Sequence, residues 1–450
     1  MDEGPVTRRR EAGFKPRIRG AVRRVAPRYY FPAYAAHLAR MANAGYEPPD
    51  DRRFNILVVN HYFDQDVAWL RRAATDVGVF EVPFSAFSHA AAAVLPEEAE
   101  RFPGYYAPEF AEGRAAYAEH LGRIFDRLSE DFPYDAVITT SDFFWWSREF
   151  QPVLGERAIP YFVLEKEGLM SPFFYEHYSR EFRQHSPPTP DHVLVWSDRQ
   201  ALFWELCGQD ADKISAVGQP RSDFWSHPET WPQREDLGLP LRPGAPLVVY
   251  FSYDIWFYLS YEAFERGEFT WEDVRNGTNQ AFLDAAARHP EADFVVKLHP
   301  QQAESGLEDT ELPPNVQVVG GATLGNPLLL NADVLVMFQS TATIEAMFRD
   351  IPIVYTFFGQ SIEPHVKSLL PFHEHPDILT VTTSEQGVIA GIEQGLSSPR
   401  RDAEAMSRRL AFINDYLYCP DGNASRRVLD RIGELIQHRG ADLPDVVQAA

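Results

Sequence analysis

An α/β protein built from two doubly wound domains is the fold class the sequence predicts, on three observations. Short runs rich in Val, Ile and Leu recur along the chain, as expected of strands buried on both faces of a parallel sheet. Stretches with helical spacing of apolar residues alternate with these runs, the pattern of strands joined by crossover helices. The alternation then stops in a Pro- and Trp-containing loop over 219–245 and restarts at Pro246, which predicts a second domain with its own first strand.

Taken in order, Phe54–Asn60 (FNILVVN) reads as the first strand, followed by the polar loop His61 to Asp66. A helix from about Val67, a strand over 79–83 and a helix over 114–128 come next. Strands over 134–140, 159–164, 191–196 and 214–217 complete the first sheet. In the second half strands are expected over 246–252, 293–298, 315–319, 332–338 and 352–356, interleaved with helices over 278–288, 322–331 and 341–349. Apolar residues at helical spacing mark 384–396, 402–418 and 423–438, and such terminal helices are expected to brace the first domain. The resulting division is a basic segment 1–53, a first domain 54–218, a linker 219–245, a second domain 246–400 and C-terminal helices 401–450.

Composition narrows the function classes. With 450 residues, 45% hydrophobic and 13% aromatic, the chain has enough apolar material for two cores, which excludes wholesale disorder. Two cysteines, Cys207 and Cys419, without CxxC or metal-type spacing, point to a reducing compartment and a cytoplasmic protein. Nine Lys or Arg residues fall within 8–28, although the chain as a whole carries −23. That segment runs into Tyr29, Tyr30, Phe31 and Tyr34, so it reads either as a peripheral contact with an anionic membrane or as a solvated tail. The remaining acidic surface argues against a nucleic-acid partner.

Two strand ends carry the chemistry: Asp293 to Pro300 (DFVVKLHP) and Ala332 to Met347 (ADVLVMFQSTATIEAM). Open α/β sheets place ligand-binding groups at the carboxyl ends of their strands, so both motifs should line one crevice. Lys297 and His299 alternate along the chain and share a face, and Pro300 forces a turn just after the imidazole. Ser340 or Thr341 opens the next helix, where backbone N–H groups and the dipole suit a phosphate. Glu345 lies one turn further, placed to accept hydrogen bonds from ribose hydroxyls. Ser252 and Tyr253, at the end of the second domain's first strand, are donor contacts by location.

A His-Pro pair after a strand with a Ser/Thr pair opening a later helix resembles the signature of bacterial sialyltransferases, capsule Kdo transferases and CDP-glycerol glycerophosphotransferases. Two further stretches fit. Val163 to Gly168 (VLEKEG) is similar to the acidic-plus-glycine motif that supplies the base in the sialyltransferases, and Val217 to Asp223 (VGQPRSD) resembles a segment common in surface-carbohydrate synthesis proteins. The resemblance spans about residues 54–400 and implies a GT-B-like fold of two Rossmann-like domains. It implies a glycosyltransferase with a cytidine-nucleotide donor, a CMP-sugar, building a cell-surface or capsular polysaccharide on a polysaccharide or lipid-linked acceptor. His299, Ser340 and Thr341 would hold the donor phosphates. No resident cofactor or metal is implied, the activated nucleotide being a substrate.

Glu167 is the expected general base, a carboxylate beside Gly168, which would permit tight chain reversal. His61 competes for that role because it also follows a first strand. Arg221 either contacts a phosphate or pairs with Asp223 or another acid. Asp64-Gln65-Asp66 has the spacing of a metal-holding carboxylate pair but sits in the half without the phosphate features; His373, Glu374 and His375 lack a third ligand geometry. Alternatives are a CDP-glycerol-type polyol-phosphate transferase, although that family has His-Gly where this chain has Glu167-Gly168, a non-catalytic nucleotide- or glycan-binding scaffold, and a nucleotide-sugar epimerase.

Overall fold

Residues 27–100, 104–256, 270–300, 302–320, 325–398 and 403–442 are described by the computed structural model of the chain. They fall into two units, one of Met1–Gly168, His177–Ser226 and Tyr416–Ala450, the other of Leu169–Glu176 and His227–Asp415. The basic run of the N-terminal segment, up to residue 26, lies outside the described residues.

In the first unit α1 (Pro27–Ala42) precedes a six-stranded sheet: β1 (Phe54–Asn60), β2 (Val77–Pro83), β3 (Ala136–Thr139), β4 (Tyr161–Leu164), β5 (His192–Val195) and β6 (Ile214–Ala216). The order is β2-β1-β3-β4-β5-β6, all parallel, with Ile56 opposite Val79 on one side and Ala136 on the other. Helices α2 (Asp64–Ala73), α3 (Ser85–Ala91), α4 (Ala111–Asp131), α5 (Phe150–Gly155), α6 (Pro172–His185) and α7 (Asp198–Cys207) make the crossovers, the first turn of α6, up to Glu176, being counted with the second unit. The order reverses between β1 and β3, so their carboxyl ends form the sheet's switch point. The aromatic residues before position 53 are not a detached surface segment: Phe31, Ala35, Ala36 and Ala39 of α1 are buried, and the Phe31 ring lies 5.3 Å from that of His120 on α4.

The second unit repeats the plan with β7 (Leu247–Phe251), α8 (Glu272–Arg288), β8 (Asp293–Lys297), β9 (Val316–Val319), α9 (Gly325–Asn331), β10 (Val334–Met337), α10 (Ala342–Ala346), β11 (Ile353–Thr356), β12 (Thr380–Thr382), α11 (Glu385–Ser397) and α12 (Ala403–Leu417). Its parallel order, β12-β11-β10-β7-β8-β9, is that of a dinucleotide-binding sheet, with the reversal between β7 and β10. The stretch expected as a linker is folded: Pro220–Ser226 is a 310 turn of the first unit, while Arg242 donates from its N and Nε to the buried Asp293 carboxylate at 2.8 and 2.7 Å, pinning the chain before β7 to the second sheet.

The last element among the described residues is α13 (Ala424–Asp442), which belongs to the first unit. Val428, Leu429 and Ile432 complete a core with Phe54, Ile56, Val58 and Val217. Asp223 caps this helix, its two carboxylate oxygens each accepting at 2.8 Å, from the N–H groups of Ala424 and Ser425. Gly218 sits at φ +87°, where a Cβ would press on Ala424 and the Leu417 carbonyl, so only glycine is unstrained there. The VGQPRSD segment is therefore the seat of the C-terminal helix. Among the described residues no helix is long and apolar enough to cross a membrane.

Candidate functional site

Three strand ends of the second unit meet around its switch point. Ser252 follows β7 and donates its N–H to the Lys297 carbonyl at 2.9 Å. Lys297 closes β8 with its side chain buried, and its Nζ donates to the Leu298 carbonyl. His299 then enters the turn that the exposed Pro300 makes, closed by the Gln302 N–H on the His299 carbonyl at 2.9 Å. Pro300 thus shapes the turn. Gln302, which nothing in the sequence singled out, joins the two ends: its Oε1 accepts from the His299 N–H and its Nε2 donates to the Ser252 hydroxyl, each at 3.0 Å.

After β10 the chain passes through Gln339 at φ +28°, a strained conformation held by both ends of its amide. Nε2 donates to Tyr355 Oη at 2.8 Å and Oε1 accepts from the Leu370 N–H at 2.7 Å. Ser340 follows, its Oγ accepting from the Ala342 N–H at 3.2 Å, while the Thr341 side chain makes no capping bond. The helix expected over 341–349 is only the five residues of α10, after which the chain tightens into i→i+3 turns, Phe348 N–H on the Glu345 carbonyl and Arg349 N–H on that of Ala346. Its dipole is correspondingly small, so hydroxyls and backbone groups are what this end presents. Glu345 is buried on α10, not solvated at a rim.

Burial sets the charges. The Lys297 ammonium is pushed down to about 8 by loss of solvent, and His299 to about 4 by burial and then by Lys297. At neutral pH Lys297 is therefore the cation and His299 a neutral imidazole able to donate one N–H. An anion bound here raises both values, so binding takes up protons. Affinity for a nucleoside diphosphate is expected to weaken as pH rises above 8, by up to about tenfold per pH unit until the Lys297 of the complex also titrates. Isothermal titration from pH 7 to 9.5 checks this, and Lys297→Met should flatten the profile.

In the first unit β4 runs into Glu165-Lys166-Glu167-Gly168. Glu165 is buried, its Oε1 accepting from the N–H groups of Lys166 at 3.0 Å and Glu167 at 3.3 Å, and burial pushes its carboxyl up to about 8. Glu167 is exposed, its carbonyl accepting from Gln200 Nε2 at 2.9 Å. Gly168 does not reverse the chain through a left-handed conformation. Its missing side chain lets the Trp196 indole lie against the backbone, where a Cβ would overlap Cε3 and Cδ2 of the ring. Lys166 reaches both the His61 carbonyl, at 3.2 Å, and the Glu167 carboxylate, at 4.0 Å. His61 is pushed down to about 3 by burial and by Lys166, so it is neutral and a weak base.

Arg221 pairs with Asp66, not Asp223: its N–H and Nη1 donate to the Asp66 oxygens at 3.1 and 3.3 Å. Asp64 has a different partner, its Oδ1 accepting from Asn60 Nδ2 at 2.7 Å. His373 stacks on Phe357 and His375 packs edge-on against Phe412. Among the described residues no group of three His, Cys, Asp or Glu is arranged to hold a metal ion.

No protein-family model matches the chain, and no curated protein does. Solved structures do match. A UDP-GlcNAc 2-epimerase from Neisseria meningitidis bound to UDP-GlcNAc is 12% identical over 84% of this chain and 100% of its own, with a TM-score of 0.51. The S. aureus MnaA–UDP structure is 12% identical over 85% of this chain and 97% of its own, with a TM-score of 0.52. A Listeria monocytogenes protein named for UDP-N-acetylglucosamine 2-epimerase is 11% identical over 86% and 97%, with a TM-score of 0.53. At such identities the likeness carries the fold: the chain has the α/β GT-B fold of two Rossmann-like domains.

Proposed function

We propose that the protein is a glycosyltransferase that binds a nucleotide-activated sugar in its second unit and deprotonates the acceptor with Glu167 of its first. The observation that carries this reading is the buried Lys297 beside His299 and Ser252, at the strand ends next to the switch point of a dinucleotide-type sheet. A cation in that place is suited to a phosphate.

In the reaction the acceptor oxygen bonds to the anomeric carbon as that carbon's bond to the donor phosphate breaks, with inversion. Lys297 and the His299 N–H stabilise the negative charge gathering on the departing phosphate, with the Ser340 and Thr341 hydroxyls as further donors. Glu167 takes the acceptor proton; His61, held near 3, is a poor rival for it. The leaving-group charge is met by side chains, so this mechanism calls for no metal. The His-Pro and Ser/Thr motifs favour a cytidine donor and a surface polysaccharide as product. A uridine donor, or a UDP-sugar epimerase, is the second reading, favoured by the UDP and UDP-GlcNAc held in two of the similar structures.

A thermal-shift series with CMP, CDP, UDP, GDP and ADP on the wild type and His299→Ala tests it. Stabilisation by CMP or CDP of several degrees, lost in the variant, is the expected result. Preference for UDP moves the donor to uridine. No response to any nucleotide overturns the enzyme reading in favour of a scaffold.

A further inference from the structure

The switch point of the first sheet is built unlike that of the second. At the carboxyl end of β1 the His61 ring lies in a cluster of aromatic rings: Phe84 at 4.1 Å, Phe144 edge-on at 4.4 Å, Tyr62 at 4.8 Å and Trp146 edge-on at 5.8 Å. Phe144 comes from the segment after β3 and stacks on Trp146 with planes 8° apart. Trp146 is buried beneath, whereas Phe84 and Phe144 are half-buried and Tyr62 is 54% exposed. Tyr62 is also held at φ +57°, a conformation unfavourable to an aromatic residue, and its ring carries the Lys166 ammonium at 5.1 Å from the centroid. Within this apolar wall the Nδ1 of His61 is buried and has no hydrogen-bond partner.

From this arrangement we infer that the β1–β3 switch point binds a neutral pyranose ring of the acceptor, with Tyr62 and Phe144 against its C–H face and His61 Nδ1 accepting a hydroxyl hydrogen. The inference rests on the glycosyltransferase reading and specifies its acceptor. A sugar ring combines an apolar face with a rim of hydroxyls, which is what half-buried aromatic surface and one unmet polar atom complement. The neutrality of His61 fits, since an imidazolium could not accept that hydrogen. An anionic group is disfavoured here: Lys166 already serves the His61 carbonyl and Glu167, and the Glu167 carboxylate stands beside it. Stacking alone would also suit a nucleobase, so the test must separate the two.

The experiment is saturation-transfer difference NMR on the whole chain with methyl glycosides of galactose, glucose, N-acetylglucosamine and N-acetylgalactosamine, and with cytidine and uridine as base-bearing probes. Two variants keep the fold in view: Tyr62→Asn, which removes the ring from a backbone position Asn tolerates, and His61→Phe, which refills the cluster without the nitrogen. The expected result is transfer to at least one glycoside, with affinity at least tenfold weaker in each variant while Tm stays within a few degrees of wild type. No transfer to any glycoside, transfer unchanged in both variants, or a nucleoside as the ligand that Tyr62→Asn expels would each overturn the inference. His299→Ala should keep the glycoside signal, and a wild type that gives this signal without any nucleotide response would remove the donor reading alone.

Discussion

Asp142→Ala is expected to destabilise the first unit by about 3–5 kcal/mol, the usual cost of leaving one member of a buried ion pair alone. Asp142 is fully buried; it accepts from Arg148 Nη1 at 2.7 Å, from the Thr189 N–H at 2.8 Å and from the Thr189 hydroxyl at 3.0 Å. Arg148 is buried too, with its Nη2 on the Pro187 carbonyl at 2.7 Å. The two partners are not equivalent in loss. A guanidinium cannot shed its proton, so removing Asp142 strands a charge, whereas Arg148→Met leaves a carboxyl that can become neutral by protonation. Burial already pushes the Asp142 carboxyl up with Arg148 in place. Arg148→Met should therefore cost less than Asp142→Ala, and its deficit should shrink as pH falls through the carboxylate range, because the folded protein then binds the proton more readily than the unfolded chain. Urea unfolding followed separately for each unit is the measurement, since one transition for a two-unit chain is not assured. Equal losses for the two variants at pH 5 and pH 8 would contradict this account.

Gly168→Ala is expected to lower turnover about a hundredfold with the donor that the nucleotide series selects, and to cost about 1–3 kcal/mol of stability. The new Cβ would overlap the Trp196 indole, which is fully buried and has no room to retreat. The backbone must yield, and it carries Glu167 with it. Gln200 is drawn in as well, because it accepts from the Trp196 N–H at 2.8 Å and donates to the Glu167 carbonyl at 2.9 Å. On the proposed reading the nucleotide is held by the second unit, so its stabilisation should be unchanged and the signature is a fall in kcat with nucleotide affinity retained. Equal loss of both would mean that the variant acts through unfolding.

The strands were legible because they are buried on both faces: FNILVVN, PLVVYFS and DVLVMF have no other reading as compact α/β segments. Elements without that signature were not. Helix α6 fully buries only Ser179, although Phe174, Tyr178 and Phe182 recur along it at helical spacing, and β12 is only the three residues Thr380–Thr382 at a sheet edge. For the site, placing Lys297, His299, Ser340 and Thr341 at strand ends followed from alternation and helix-start chemistry. What joins distant stretches was hidden. Gln302 has no pattern that announces it, and the partner of Arg221 lies 155 residues away in Asp66. Glu165 and Glu167 differ by one strand alternation, yet one is buried and the other exposed, a distinction decided by how far β4 extends.

Because α13 supplies Val428, Leu429 and Ile432 to the core around β1, an early and a late segment of the sequence share one sheet's packing while most of the second unit is encoded between them. On a ribosome, which releases the chain N-terminus first, the first unit cannot close its core until residues near 430 emerge, after the whole second unit has been translated. The later-made half is thus free to fold first, and the earlier-made half must wait with Phe54 and Ile56 uncovered. A nonsense codon between Leu417 and Val428 would leave the second unit's sheet intact and strip the first unit's core of its α13 residues.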